Sequence, residues 1–245
     1  MGPPDSWDRM GEWLRGLAQT LPRPPKAVVV ISGHWEEDAF AVTSSAAPPL
    51  IYDYYGFPEH TYQLTYPAPG TPALAQRIST LFTGAGLPTR LDNQRGLDHG
   101  VFIPFKLIFP DADIPIVQIS LHNNLDPALH LAAGRALAPL RDEGVLIVGS
   151  GMSYHNMSGF GDPRSRPVSL DFDQWLTDTI SLGGTDGRDQ ALENWVLAPS
   201  ARAAHPREEH LLPLMVAATA GGNGPGAKIF TDTPMEATVS AFRFG

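Results

Sequence analysis

Two kinds of apolar pattern take turns along the chain. Between Asp5 and Leu21 the apolar residues Trp7, Met10, Trp13, Leu14, Leu17 and Leu21 recur at helical spacing among charged positions. Pro3 and Pro4 precede the stretch and Pro22 follows it, so the pattern predicts an amphipathic helix. Lys26 to Ser32 then runs KAVVVIS with no polar alternation, the pattern of a strand covered on both faces in a parallel sheet. Ala39 to Ser44 predicts a shorter strand. Thr71 and Pro72 supply an N-cap and a first-turn proline for a helix through Leu74, Ile78 and Leu81 that ends at Gly84 or Gly86. A short strand is expected at Thr89 to Leu91, then a buried helix over Val101 to Phe109 interrupted by Pro104, then an inner strand at Ile114 to Leu121. Asp126 and Pro127 open another capped helix that ends before Gly144. Val145 to Val148 is the next buried strand, closed by Gly149-Ser150-Gly151. Further helices are expected at Ser169 to Ser181 and Pro206 to Ala220, and a last strand at Thr238 to Phe244. Strands that are apolar on both faces and alternate with helices predict an α/β fold, a mostly parallel central sheet flanked by helices. Such folds usually begin with a strand, whereas this sequence begins with a helix.

Composition narrows the functional classes. A chain of 245 residues that is 42% hydrophobic and 18% charged reads as one globular domain, residues 1 to 245. Lys plus Arg is 17 against 26 for Asp plus Glu, a net charge of −9 with no basic stripe, which argues against a nucleic-acid partner. The apolar runs are far shorter than the roughly 20 residues that cross a bilayer, and the first helix lacks the continuous apolar core of a secretory signal. A cytoplasmic protein without a membrane partner, monomeric or a small homo-oligomer, is the expectation. The chain has no Cys, so any metal must be held by His, Asp or Glu.

The histidines carry the chemical signal. His34 follows the first inner strand in Ser-Gly-His-Trp, and His155 follows the Val145 strand across a Gly-Ser-Gly turn. In an open parallel sheet, residues beyond the carboxyl ends of strands line one crevice, so the two should be neighbours. His99, in Leu-Asp-His-Gly, lies between a strand and the following helix and can reach the same edge. His210 stands about one turn into the Pro206 helix. Four imidazoles converging on one crevice suit a metal or acid–base site. Any one of them taken alone reads equally well as a backbone hydrogen-bonder. His60 is a candidate pocket-rim residue, His130 reads as a helix-surface residue and His205 as a helix-start residue, while Glu36-Glu37-Asp38 reads as a solvated turn. Ser150 lacks the G-x-S-x-G spacing of a nucleophile elbow. Tyr52, Tyr54, Tyr55, Phe57 and Tyr62 crowd one short stretch, which is either a packed Ω-loop or a wall against a flat substrate; Tyr52, Tyr55 and Phe57 are its substrate-binding candidates.

Seven short motifs then occur in a telling order. They are Ser32-Gly33-His34-Trp35, Tyr52-Asp53-Tyr54-Tyr55-Gly56-Phe57-Pro58, Tyr66-Pro67-Ala68-Pro69-Gly70, Leu97-Asp98-His99-Gly100, Phe109 to Pro115, Gly149-Ser150-Gly151 with His155-Asn156, and Glu209-His210. This order resembles the class III (LigB-type) extradiol dioxygenases, in their DOPA-dioxygenase-like branch, over nearly the whole chain. The resemblance implies a non-haem Fe(II), with Zn possible as the bound ion, that takes a small aromatic diol and O2 and opens the ring beside the diol. It implies His34, His155 and His210 as metal ligands, with His155 alternatively an acid–base residue, and His99 as a donor to the bound diol. Family members open with a strand ending in H-G-S-P or H-G-G-G-P, whose histidine is also a ligand. Here Met1-Gly2-Pro3-Pro4 leads directly into a helix, so the expectation is a sheet and a ligand set without that segment. The alternatives are a Memo-like metal-binding, non-oxygenase protein on the same fold and, more remotely, a zinc hydrolase.

Overall fold

The computed structural model describes residues 2–3, 5–183 and 185–245. In chain order they form α1 (Asp8–Leu17), β1 (Ala27–Glu37), β2 (Phe40–Thr43), α2 (Pro72–Gly84), β3 (Thr89–Asp92), α3 (His99–Ile108), β4 (Ile116–His122) and α4 (Pro127–Leu137). There follow β5 (Val145–Ser150), α5 (Ser165–Ile180), α6 (Thr185–Glu193), α7 (Ala201–Ala204), α8 (Leu212–Ala220), β6 (Gly226–Asp232) and β7 (Val239–Phe244). The central sheet has the order β3-β2-β4-β1-β5. It is parallel at β1–β4, β1–β5 and β2–β3, and antiparallel only where Val42 meets Ile119 between β2 and β4.

The uninterrupted apolar run of β1 has its reason in the two cores. Val29 and Ile31 face one cluster, with Ile78 and Phe82 of α2, Leu131 of α4 and Met215 of α8, while Val28 and Val30 face a second cluster with Phe102 and Phe105 of α3. Successive side chains of a strand point to opposite faces, so a strand between two helical layers must be apolar throughout. Leu14 and Leu17 of α1 join the second cluster. The antiparallel pair β6–β7 forms a separate small sheet against which Trp13 stacks through Phe230, ring centroids 4.7 Å apart.

Several expectations are corrected. Pro104 does not interrupt its helix: α3 runs through it. A proline cannot donate to the carbonyl four residues back, and the freed Gly100 carbonyl accepts instead from the Ser150 hydroxyl at 2.5 Å. The helix expected from Pro206 starts at Leu212, because Pro213 fits only in a first turn. β1 continues past Ser32 to Glu37, so Glu36 and Glu37 are strand residues, not a solvated turn; they pair with Arg207 and Arg90 respectively. The α5 helix begins four residues before Ser169, and α6 and β6 carry no strong apolar period in the sequence. Among the described residues no helix is long and apolar enough to cross a membrane.

Candidate metal and catalytic site

Irregularities in the backbone bring the candidate residues together. From Ile31 to Glu36, β1 advances five residues while β4 advances two, from Ile119 to Leu121, so Ser32 to Trp35 bulge away from β4, Ser32 still pairing with Ser150 of β5. His34 rides on this bulge, inside β1 and not beyond its end. His99 is the first residue of α3. The segment 49–53 lies alongside it through a short bridge, Ile51 N–H to Leu97 O and Leu97 N–H to Pro49 O, both 2.8 Å, which delivers Asp53 to His99. His155 lies in the loop after β5, its N–H bonded to Ala204 O at 3.0 Å. His210 lies in the turn before α8, where its carbonyl accepts from Met152 N–H at 3.1 Å. That approach requires a glycine at 151, since a Cβ there would overlap the His210 carbonyl.

The four imidazoles form a row. His99 and His34 have ring centroids 4.0 Å apart, His34 and His210 4.7 Å, and His210 and His155 stack at 3.4 Å with 17° between planes. Each has one nitrogen engaged elsewhere. Asp53 Oδ1 accepts from both the backbone N–H and Nδ1 of His99, at 2.9 and 2.8 Å. Burial works against ionisation of Asp53, but these bonds hold its carboxyl down to about 2. Glu209 Oε1 accepts from Nδ1 of both His155 and His210, each at 3.0 Å, and these bonds overcome burial to keep its carboxyl well below the usual range. His34 Nδ1 lies 3.3 Å from the Ser32 hydroxyl oxygen. A carboxylate only accepts, so His99, His155 and His210 each donate from Nδ1, and in the neutral ring that leaves Nε2 bare.

The donor set fits a divalent metal. His34 Nε2 and His210 Nε2 face each other at 3.0 Å. Burial, then the neighbouring His99 and His210, push the His34 imidazole down to about 3, and burial lowers His210 as well, so both are neutral near pH 7. Two nitrogen lone pairs at that distance repel unless a proton or cation lies between them, and neutral imidazole is a good ligand for iron and zinc. Ligand-capable atoms fall into two close groups, His34 with Asp53 and His99, and His155 with Glu209 and His210. Glu209 Oε2 is buried without a hydrogen-bond partner.

The aromatic stretch is largely packed on itself. Tyr52 and Tyr54 donate their hydroxyls to Leu64 O and Thr61 O, at 2.5 and 2.6 Å. Tyr54 is the ring that meets His99, edge-on at 5.7 Å, with Phe57 against its other side, whereas Tyr55 is 91% exposed. Sequence reasoning named Tyr54 only as one of the aromatic stretch and singled out neither Asp53 nor Glu209; Glu209, next to His210 in the chain, was the readable one. His60 is exposed. His130, expected at a helix surface, is fully buried, donating to Asp126 O at 2.7 Å and accepting from His122 N–H at 3.2 Å. His205 follows α7 instead of starting a helix and is also fully buried, donating to Ser153 O at 3.0 Å.

Comparison with known proteins agrees with this chemistry. Residues 5–242 match the family described as the catalytic LigB subunit of aromatic ring-opening dioxygenase. The 4,5-DOPA dioxygenase extradiol of Beta vulgaris is 42% identical over 211 residues, covering 84% of this chain and 77% of that protein. The Escherichia coli (strain K12) protein of the same name is 38% identical over 214 residues, 86% of this chain and 75% of that one. The crystal structure of an uncharacterized Escherichia coli K12 protein superimposes with a TM-score of 0.81 at 32% identity, over 96% of this chain and 92% of that one. The chain therefore belongs to the LigB family of metal-using aromatic ring-opening dioxygenases. Within that class its relatives define it as an extradiol dioxygenase, and the Memo-like non-oxygenase alternative is not favoured.

Proposed function

We propose that residues 1 to 245 act as a single catalytic domain that opens the ring of a small catechol-type diol with O2 at Fe(II), zinc being a second ion the site accepts. The observation that carries this reading is the pair of Nε2 atoms of His34 and His210, 3.0 Å apart. His34, His210 and His155 supply the ligand nitrogens. Iron bound there would offer open positions for both diol oxygens and for O2. The chain's own part is to hold and move protons. A catechol must lose protons to chelate a metal, and His99, with Nδ1–H tied to Asp53, presents Nε2 as the acceptor. His155, tied in the same way to Glu209, is the second acid–base group when it is not coordinated. Tyr54, with Tyr52 and Phe57 beside it, walls the substrate ring, and Tyr55 stands at the outer rim. We assign the protein to the cytoplasm, as a monomer or small homo-oligomer without nucleic-acid or membrane partners.

The test is anaerobic loading with Fe(II), followed by a catechol and then air. The expected result is oxygen uptake with a yellow ring-fission product, absent with zinc and lost in His34→Ala and His210→Ala. Undiminished oxygen uptake in both variants would overturn the ligand assignment.

A further inference from the structure

His34 is the one imidazole of the row with no carboxylate on its Nδ1, and what stands there instead is a buried polar chain. Ser32 Oγ lies 3.3 Å from His34 Nδ1 and donates to Asp98 Oδ1 at 2.9 Å. The other oxygen of Asp98 accepts from the Gln118 amide nitrogen, and the Gln118 carbonyl oxygen accepts from Asp98 N–H at 3.2 Å. The Gln118 amide therefore cannot turn over without setting donor against donor. Ser32, Asp98 and Gln118 are all fully buried.

Asp98 occupies the N-cap of α3, where an aspartate ordinarily accepts an amide of the first turn and stabilises the helix by about 1 kcal/mol. Here it makes no such bond. Its charge neighbour, Arg95, is 3.5 Å away. A buried carboxylate that forgoes its own helix cap and bonds to none of the three ligand candidates directly has its use in what it orients. Ser32 has one hydroxyl proton and it goes to Asp98, so the proton of His34 must lie on Nδ1, facing Ser32 Oγ.

We propose that Asp98, acting through Ser32 and fixed by Gln118, is a positioning relay that holds His34 with its proton on Nδ1 and its Nε2 lone pair turned to the metal. The relay rests on His34 being a ligand, as argued above, and does for that residue what Asp53 and Glu209 do for the other three. Partners of this kind fix the ring and raise the basicity of the ligating nitrogen.

The test uses the full chain, free of metal for the spectrum, so that coordination does not itself place the proton on Nδ1, and with zinc for the affinity. In the imidazole nitrogen-15 spectrum of the unaltered protein, His34, assigned by the signals missing from His34→Gln, is expected to carry its proton on Nδ1. A proton on Nε2 overturns the relay as drawn and means that Asp98 is itself protonated and donates through Ser32. Zinc affinity by chelator competition is expected to fall by about 10- to 100-fold in Ser32→Ala and in Asp98→Asn, with metal-free melting temperature as the measure of folding. Unchanged zinc affinity in either folded variant overturns the proposal. The spectrum of the unaltered protein decides the matter should neither variant fold. Failure of the unaltered protein to bind zinc strikes the ligand assignment instead.

Discussion

Gly100 is the second residue of α3, and its backbone lies outside the left-handed region, so nothing in its conformation requires a glycine. What requires it is the neighbour. A Cβ built at this position falls 2.5 Å from His34 Nδ1, 3.0 Å from His34 Cε1 and 2.9 Å from Ser32 Oγ. Ordinary contact begins at 3.4 Å, so Gly100→Ala must push the imidazole back by about 0.9 Å. The same change favours the helix, since alanine exceeds glycine by up to about 1 kcal/mol in a helical position. Crowding the buried Ser32 and the His34 ring costs about 1–3 kcal/mol, so the fold should lose up to about 2 kcal/mol net, while His34 loses its alignment with His210. A displacement near 1 Å in a reacting constellation costs about 10²-fold in rate. The assay is urea unfolding of the metal-free protein beside chelator competition for Fe(II) or zinc and ring-cleavage rate at saturating catechol. The expected result is a modestly lowered midpoint that leaves the protein folded, with metal affinity lowered at least tenfold and turnover lowered about a hundredfold. A variant with full metal affinity and full rate would show that the contact between Gly100 and His34 has no part in placing the ligand.

Removing the acid–base group by His99→Phe should lower turnover by about 10²-fold or more with metal content unchanged; Asp53→Asn should lose less and shift the pH profile of turnover, and a flat profile would deny the dyad its role. Burial, which outweighs the backbone hydrogen bond in each case, holds His130 and His205 near 4 against an ordinary 6.5. The unfolded chain therefore binds more protons between those values, so the stability these two histidines contribute should be lost as pH drops from about 6.5 to about 4, and below that only their share levels off. Each histidine contributes up to about 3 kcal/mol, and a stability curve flat across that window in urea titrations would refute the argument. Tyr54→Ala should change the preference among substituted catechols, whereas Tyr55→Ala should leave stability within about 0.5 kcal/mol; a uniform loss of stability with unaltered preference in Tyr54→Ala would make the loop a packing element only.

The layered fold was legible because β1, β4 and β5 must be apolar on both faces, and Thr71-Pro72 and Asp126-Pro127 mark helix starts by local chemistry alone. The meeting of His34 with His155 was expected from strand ends that share an edge, and it is reached for His155 in that way but for His34 from a bulge inside β1. What the sequence concealed depends on distant partners. The bulge that carries His34 is a mismatch between two strands and leaves no trace in either one. The bridge that delivers Asp53 to His99 joins segments more than 40 residues apart. His130 looked peripheral, yet its buried ring bonds to Asp126 O just before its helix and to His122 N–H at the end of β4, neither of which its own helix pattern reveals. Pro213, which fits only in a first turn, is the readable clue to the true start of α8.

The bond between Ser150 and the Gly100 carbonyl also acts as an index mark between two elements that could otherwise slide. A helix lying on a sheet is held mainly by apolar contacts, which tolerate small translations, but α3 has one backbone acceptor left open by Pro104, and β5 has one hydroxyl that fits it. Proline and serine, 46 positions apart, thus work as lock and key for the axial position of α3, and with it for His99 at the helix start. The two should behave as a unit in a double-mutant cycle. Pro104→Ala supplies the missing N–H and makes the serine redundant, so Ser150→Ala, costing about 1 kcal/mol in the native background, should cost much less in the Pro104→Ala background.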